Sequence, residues 1–316
     1  MKVYVKTPAR LHLGLIDLNG GLGRLFGGLG VGINRPNVIL EAERSERLVV
    51  TGEKTEQVKT LAEQFLETYN IKSSASITVE QVIPEHSGLG SGTQLALAVA
   101  TALARLFGVK ASVQELAEAM GRGQRTSVGT TIFEQGGFVV DGGKSTSENR
   151  FPATIFRQPF PHNWGFVVAI PDVNKGLAKR EETAAFKALS PMKAEDAGRM
   201  CRLIMMKLLP SLVECDIKSF GEALTQIQIV IGDYFAEVQG GTYSSQTATE
   251  GIALMQKLGA YGAGQSSWGP AFYGLTQKAK AKEIQLKVKA FLRKSVGGQA
   301  FVAKANNRGA YIKVTK

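Results

Sequence analysis

Two cysteines and three histidines among 316 residues leave little room for thiol or imidazole chemistry. Cys201 and Cys215 form no CxxC pair, which argues against a disulfide scaffold and a structural zinc site. His12, His86 and His162 lack metal-ligand spacing. No apolar run reaches the roughly 20 residues of a membrane span. No signal peptide opens the sequence, so the expectation is a cytoplasmic protein without a membrane partner. Dense Lys/Arg runs with interleaved aromatics are missing too, which argues against nucleic acid as a partner. Yet the net charge is +11, from 38 basic and 27 acidic residues, and an anionic small substrate fits it. The most basic stretch, Lys278 to Lys294, reads as an amphipathic helix with lysines on its wet face.

What the sequence does hold is glycine in polar blocks. The clearest is Pro84-Glu85-His86-Ser87-Gly88-Leu89-Gly90-Ser91-Gly92-Thr93, between an alternating strand-like segment (75–82) and a helical one (94–107). Strand, glycine turn and helix start make an anion site, because the first helical turn leaves its N–H groups unpaired at the positive end of the macrodipole. Glycines remove Cβ atoms from a phosphate's approach, and Ser91 and Thr93 add hydroxyl donors. The block is neither a Walker A loop nor a dinucleotide fingerprint. Alternation of Gly88, Gly90 and Gly92 with donors argues against a single tight turn capped by serine. Ser87, Gly88, Leu89, Gly90, Ser91, Gly92 and Thr93 are therefore the candidate phosphate- or pyrophosphate-binding residues.

Along the chain, short strands are expected in the first sixty residues, with 3–5 and 38–42 the clearest, then a helix over 56–69. Helices over 94–107 and 112–120 follow, then a strand inside the Gly136 to Gly143 block. The polar stretch 144–150 marks an expected boundary between a domain over 1–150 and a second over 151–316. The second half opens with a buried-looking strand (164–170). It continues through a helix-rich region (179–258) and ends with strands near 271–275, 298–304 and 311–314 around the basic helix. Strand–helix mixing in both halves predicts two α+β domains with a ligand crevice between them.

Two further blocks are too polar to be connectors: Thr7-Pro8-Ala9-Arg10-Leu11-His12-Leu13-Gly14-Leu15-Ile16-Asp17-Leu18-Asn19-Gly20, and Gly262-Ala263-Gly264-Gln265-Ser266-Ser267-Trp268-Gly269-Pro270. In order and spacing, the three blocks resemble the motifs of the galactokinase, homoserine kinase, mevalonate kinase and phosphomevalonate kinase (GHMP) superfamily. The resemblance implies two α+β domains, the first similar to ribosomal protein S5 domain 2 and the second an α+β sandwich. With Phe133-Glu134-Gln135-Gly136-Gly137-Phe138-Val139-Val140-Asp141-Gly142-Gly143 added, the match narrows. The chain then resembles one branch, the β-ribofuranosylaminobenzene 5′-phosphate synthases of methanopterin biosynthesis. Such enzymes join phosphoribosyl pyrophosphate to 4-aminobenzoate or 4-hydroxybenzoate, releasing carbon dioxide and pyrophosphate. The resemblance also implies a homodimer.

Kinases of this superfamily usually carry a Ser-Gly-x-x-Asp segment whose Asp takes the acceptor's proton. The matching stretch here, Thr126 to Phe133, holds no carboxylate before Glu134. A hydroxyl acceptor needs such a base; a reaction that expels carbon dioxide does not. A small-molecule kinase using Glu134 or Asp17 as base, and a silent nucleotide-binding relative, are the alternatives. For the synthase reading, Mg²⁺ is the expected cofactor, with Asp17 or Glu134 as its carboxylate. Arg10 and His12 share a strand face and are placed in the crevice, with Arg24 as a second anion clamp and Arg125 as a weaker one. Glu134 completes the catalytic candidates. Gly264, Gln265, Ser266, Ser267 and Trp268 are assigned to the aromatic acceptor, and Lys175 and Arg180 to the ribose 5′-phosphate.

Overall fold

The computed structural model describes residues 1–173, 184–186 and 188–315. Strand β1 (Lys2–Lys6) and strand β2 (Ala9–Asp17) open the chain, followed by β3 (Arg24–Ile33), β4 (Ile39–Ser45), β5 (Val49–Gly52), helix α1 (Thr55–Thr68) and β6 (Ser74–Gln81). Helices α2 (Ser91–Phe107), α3 (Val113–Ala119) and α4 (Val128–Gln135) precede strands β7 (Phe138–Asp141), β8 (Lys144–Ser145), β9 (Thr154–Gln158) and β10 (Trp164–Pro171). The helical stretch comprises α5 (Ala194–Leu203), a π-turn (Ile204–Leu208), α6 (Leu209–Val213), α7 (Ile217–Gln239) and α8 (Gln246–Lys257). Strands β11 (Gly262–Gln265) and β12 (Phe272–Gln277), helix α9 (Lys278–Lys294), and strands β13 (Gly298–Lys304) and β14 (Tyr311–Thr315) complete it.

The strands form three sheets, ordered β14-β1-β4-β6-β5, β2-β3-β7-β9 and β11-β12-β10-β13, with β8 paired to the outer end of β3. Apart from the parallel β5–β6 pair, the strands within the sheets pair antiparallel. The β2–β3 sheet takes its last strand, β9, as late as Gln158, and the chain returns at its end to pair β14 with β1. Helix α2 explains where the site lies. Its sequence is apolar all round, and every residue from Gln94 to Ala104 is buried. Such a helix belongs in a core. It packs on β1, β4, α1, α3 and α4, and at its N-terminal end the first turn, Ser91 to Thr93, is partly open.

The glycine-rich stretch after the first motif is a strand, β3, because it must be approached closely from one side. A Cβ on Gly30 would stand 2.4 Å from Val128 Cγ1 and 2.9 Å from the Leu11 carbonyl oxygen. Glycine there lets α4 settle onto the strand. Substituting Gly30→Ala should lower the unfolding free energy by about 2 kcal/mol through overpacking, measured by urea denaturation with an unchanged m-value.

Candidate active site

Three segments converge at the start of α2. The Ser266 hydroxyl, fully buried, accepts from the His12 backbone N–H (2.9 Å) and donates to the Gly88 carbonyl (2.7 Å). Arg10 Nη1 donates to the same carbonyl (2.6 Å). Backbone bonds run from Arg10 N to Leu89 O (3.1 Å), Ser267 N to His12 O (3.2 Å) and Ala271 N to Ser87 O (3.1 Å). The approach is close enough that a Cβ on Gly88 (φ +82°) would lie 2.1 Å from the Ser266 carbonyl oxygen.

Above this junction opens a cavity of ≈ 530 Å³. One end is the first turn of α2. Its N-cap, Gly90, has a left-handed backbone (φ +84°) and contributes no capping side chain. The N–H groups of Ser91, Gly92 and Thr93 have no acceptor within the helix, which leaves them for a ligand. Arg10 and Arg122 flank that turn. A Cβ on Gly90 would stand 2.9 Å from Arg10 Cγ, and one on Gly92 would stand 3.3 Å from Arg122 Nη1. The other end is aromatic. Trp268 packs on Phe235 (centroids 4.5 Å apart) and edge-on to Phe186 (5.5 Å), and the Arg125 guanidinium lies 4.7 Å from the Phe186 ring centre.

Between the ends sits His12. Burial, and then the neighbouring Arg10 charge, push its pKa down to about 3, so the imidazole is neutral near pH 7. Glutamines form the floor. Gln228 donates to Leu13 O (2.7 Å) and accepts from Gln265 N (2.8 Å). The Gln265 amide accepts from Ser244 N (2.7 Å) and donates to Ser267 O (3.0 Å).

Family models for the GHMP kinases match twice: the N-terminal domain over residues 56–137 and the C-terminal domain over residues 208–294. A β-ribofuranosylphenol 5′-phosphate synthase of Methanothermobacter thermautotrophicus is 34% identical over 99% of this chain and 99% of its own length. One from Archaeoglobus fulgidus is 37% identical over 98% of this chain and 99% of its own. The chain belongs to this synthase branch of the GHMP kinase superfamily. The fold agrees: a homoserine kinase from Cytophaga hutchinsonii superimposes with TM-score 0.72 at 18% identity, covering 99% of this chain and 97% of that one. A galactokinase from Lactococcus lactis gives 0.70 at 15% identity, over 98% and 95%.

Of the residues singled out from the synthase motifs, Arg10, His12, Gly88, Gly90, Ser91, Gly92, Thr93, Arg125, Gln265, Ser267 and Trp268 line the cavity. Ser87, Leu89, Gly264 and Ser266 are buried and support it from behind; the Ser87 hydroxyl donates to Pro84 O (2.6 Å). Arg24, Asp17 and Glu134 are not part of the described lining. Arg24 donates to the carbonyls of Gly142 and Gly143, the latter at 2.7 Å, and ties the outer end of β3 to the β7–β8 turn. Asp17 accepts from the Asn19 (2.7 Å) and Gly20 (3.1 Å) amides as a turn acid. Glu134 is exposed on α4 beside Gln135. Lys175 and Arg180 lie outside the described residues. The tryptophans divide: Trp164 is core, while Trp268 is half-buried on the cavity wall.

Sequence reasoning did not assign Arg122, Gln228, Phe186, Phe235 or Asp141 to the site. The two phenylalanines and Gln228 read as helix-face residues, and nothing local marks them as lining. Asp141 lay inside a quoted block and had a signal: an acid at the end of an apolar strand before two glycines. Fully buried, it accepts from Gly28 N (3.1 Å), Ser127 N (2.8 Å) and Gly143 N (2.8 Å), anchoring the segment that carries Thr126 along the cavity. Burial outweighs these bonds and lifts its pKa to about 6.

Because the folded carboxyl holds its proton more tightly than the unfolded chain does, its stabilising contribution is complete below about pH 4 and is lost as pH rises through about 6. The parent should therefore exceed Asp141→Asn in unfolding free energy by about 3 kcal/mol more at pH 4 than at pH 7. Denaturant titrations of both proteins at the two pH values measure this; an equal difference at both would contradict it.

Proposed function

We propose that the cavity performs decarboxylating C-ribosyl transfer, joining phosphoribosyl pyrophosphate to a 4-substituted benzoate in methanopterin biosynthesis. The observation that carries this reading is the pairing of a cationic, amide-lined end with an aromatic end in one crevice. Glu85 is the single carboxylate among the described lining residues. It is ion-paired to Lys54 at 2.6 Å. A kinase would need a base next to its acceptor hydroxyl, and Asp17 and Glu134 are both engaged elsewhere.

In this reading the diphosphate lies on the first turn of α2, where the N–H groups of Ser91, Gly92 and Thr93 meet charge that grows as the bond to ribose C1 breaks. The bonding pair leaves with the diphosphate. One preorganised donor of this kind contributes roughly 3 kcal/mol. The ring carbon bearing the carboxylate then bonds to C1, and the carbon–carboxylate bond breaks, returning its electrons to the ring as carbon dioxide departs. Trp268 and Phe235 hold the ring flat and exclude water. Neutral His12 offers the acceptor a hydrogen bond without adding a competing charge. Arg10 keeps the loop in place through the Gly88 carbonyl.

Among the described residues no group of three or more His, Cys, Asp or Glu could hold a metal. Mg²⁺ would be held mainly by diphosphate and water, and Glu85, shared with Lys54, is the lining carboxylate that would complete its ligands. Magnesium would neutralise charge on the leaving group. The archaeal relatives are named for a ribofuranosylphenol, which favours 4-hydroxybenzoate over 4-aminobenzoate as acceptor.

Carboxyl-labelled 4-hydroxybenzoate, incubated with phosphoribosyl pyrophosphate and Mg²⁺, should release labelled carbon dioxide only when the donor is present, and faster than 4-aminobenzoate does. No release from either acid would overturn the reading. Trp268→Leu should raise the KM for the benzoate roughly tenfold, the loss of one aromatic face, with the donor KM little changed.

A further inference from the structure

Arg122 stands beside the anion loop, and its guanidinium has no acceptor among the described residues. Its Nε is shut off from solvent and has no hydrogen-bond partner, and no ion pair to its guanidinium is found among the described residues. It lines the cavity, with Nη1, Cζ and Nη2 all within 4 Å of where a Cβ on Gly92 would be. Two arrangements would normally stabilise a guanidinium drawn out of bulk solvent: a carboxylate, or backbone carbonyls as at half-buried Arg157. Among the described residues Arg122 has neither. It also faces the positive end of α2, which adds repulsion.

The three cavity arginines are thus unequal. Arg10 is committed to the Gly88 carbonyl, and Arg125 lies over the Phe186 ring. Arg122 alone among them brings a planar fork of donors with no acceptor among the described residues to the turn where Ser91, Gly92 and Thr93 present their amides.

We infer that Arg122 is the diphosphate clamp of this site: its guanidinium, with the first-turn amides of α2, binds two adjacent phosphates of a ligand and selects for a diphosphate over a lone phosphate or carboxylate. This rests on the reading of the cavity given above and names the residue that fixes its donor class. An incoming diphosphate supplies the missing acceptors and cancels the repulsion in a single step. A fork that spans two oxygens matches a diphosphate better than a point charge would. The residue therefore touches the leaving group of the donor and not the aromatic acceptor.

The test is binding of inorganic pyrophosphate with Mg²⁺, by calorimetry and by the rise in Tm it produces. The proteins compared are the parent, Arg122→Met, Arg122→Lys and, as a charge control on an exposed helix face, Lys289→Met. Arg122→Met should bind pyrophosphate at least tenfold more weakly and lose most of the ligand-induced Tm rise. Without ligand it should melt no lower than the parent, since a half-buried cation with an unsatisfied Nε has gone. Arg122→Lys should fall between them, and Lys289→Met should match the parent. In turnover, Arg122→Met should raise the donor KM and leave the benzoate KM unchanged.

Pyrophosphate binding by Arg122→Met within twofold of the parent would overturn the inference, as would a lower ligand-free Tm with binding intact, the mark of a purely structural arginine. A parent that binds no pyrophosphate would overturn the clamp and the phosphoribosyl reading together. Binding that survives in Arg122→Met removes only the clamp.

Discussion

The buried hydroxyl of Ser266 is the contact on which the site depends. It joins the first strand motif, through the His12 amide, to the glycine loop before α2, through the Gly88 carbonyl, and it belongs to the third motif itself. Those segments are separated by 78 and 178 residues along the chain. A fully buried hydroxyl that both donates and accepts has its principal hydrogen bonds satisfied and cannot easily be replaced by water or by another side chain. The backbone bonds around it fix the same junction from both sides. With the junction fixed, α2 points its open turn into the cavity and Trp268 forms the opposite wall.

Electrostatics then follow from burial. The cavity is rich in cations and poor in acids, and its histidine is held neutral by the same burial that shields Arg10 and Arg122. Asp141, directly behind the lining, keeps its proton unusually well because three amides only partly offset its loss of solvent. A field of this sign suits ligands that carry several negative charges and release one of them as a leaving group. It is poorly suited to removing a proton from an alcohol, the demand placed on sugar and mevalonate kinases that share the architecture. Sugar and mevalonate kinases share the fold, and the fold alone does not decide the chemistry.

Much of the fold was legible along the chain. Helix α9 and strand β13 begin and end where their hydrophobic spacing says they should, and α1, α2, α3, β6 and β10 do so within a few residues. Their patterns are local, so local reading suffices. The glycine-rich stretch that became β3 was harder, because its glycines serve close packing by α4 and weaken every strand signal. Helix α4 itself was hidden by two threonines and a glycine.

The sequence by itself determined the superfamily and the three glycine-rich segments that meet at the cavity, because each is a contiguous run legible from neighbours only a few residues away. Tertiary structure decided which charges act. Arg24, Asp17 and Glu134 are chemically as apt as Arg10, yet they serve turns and surface. Arg122 and Phe235, unmarked by any motif, stand in the cavity. A side chain's role depends on the acceptors and rings that folding brings within a few ångströms of it, and those come from segments up to 254 residues away.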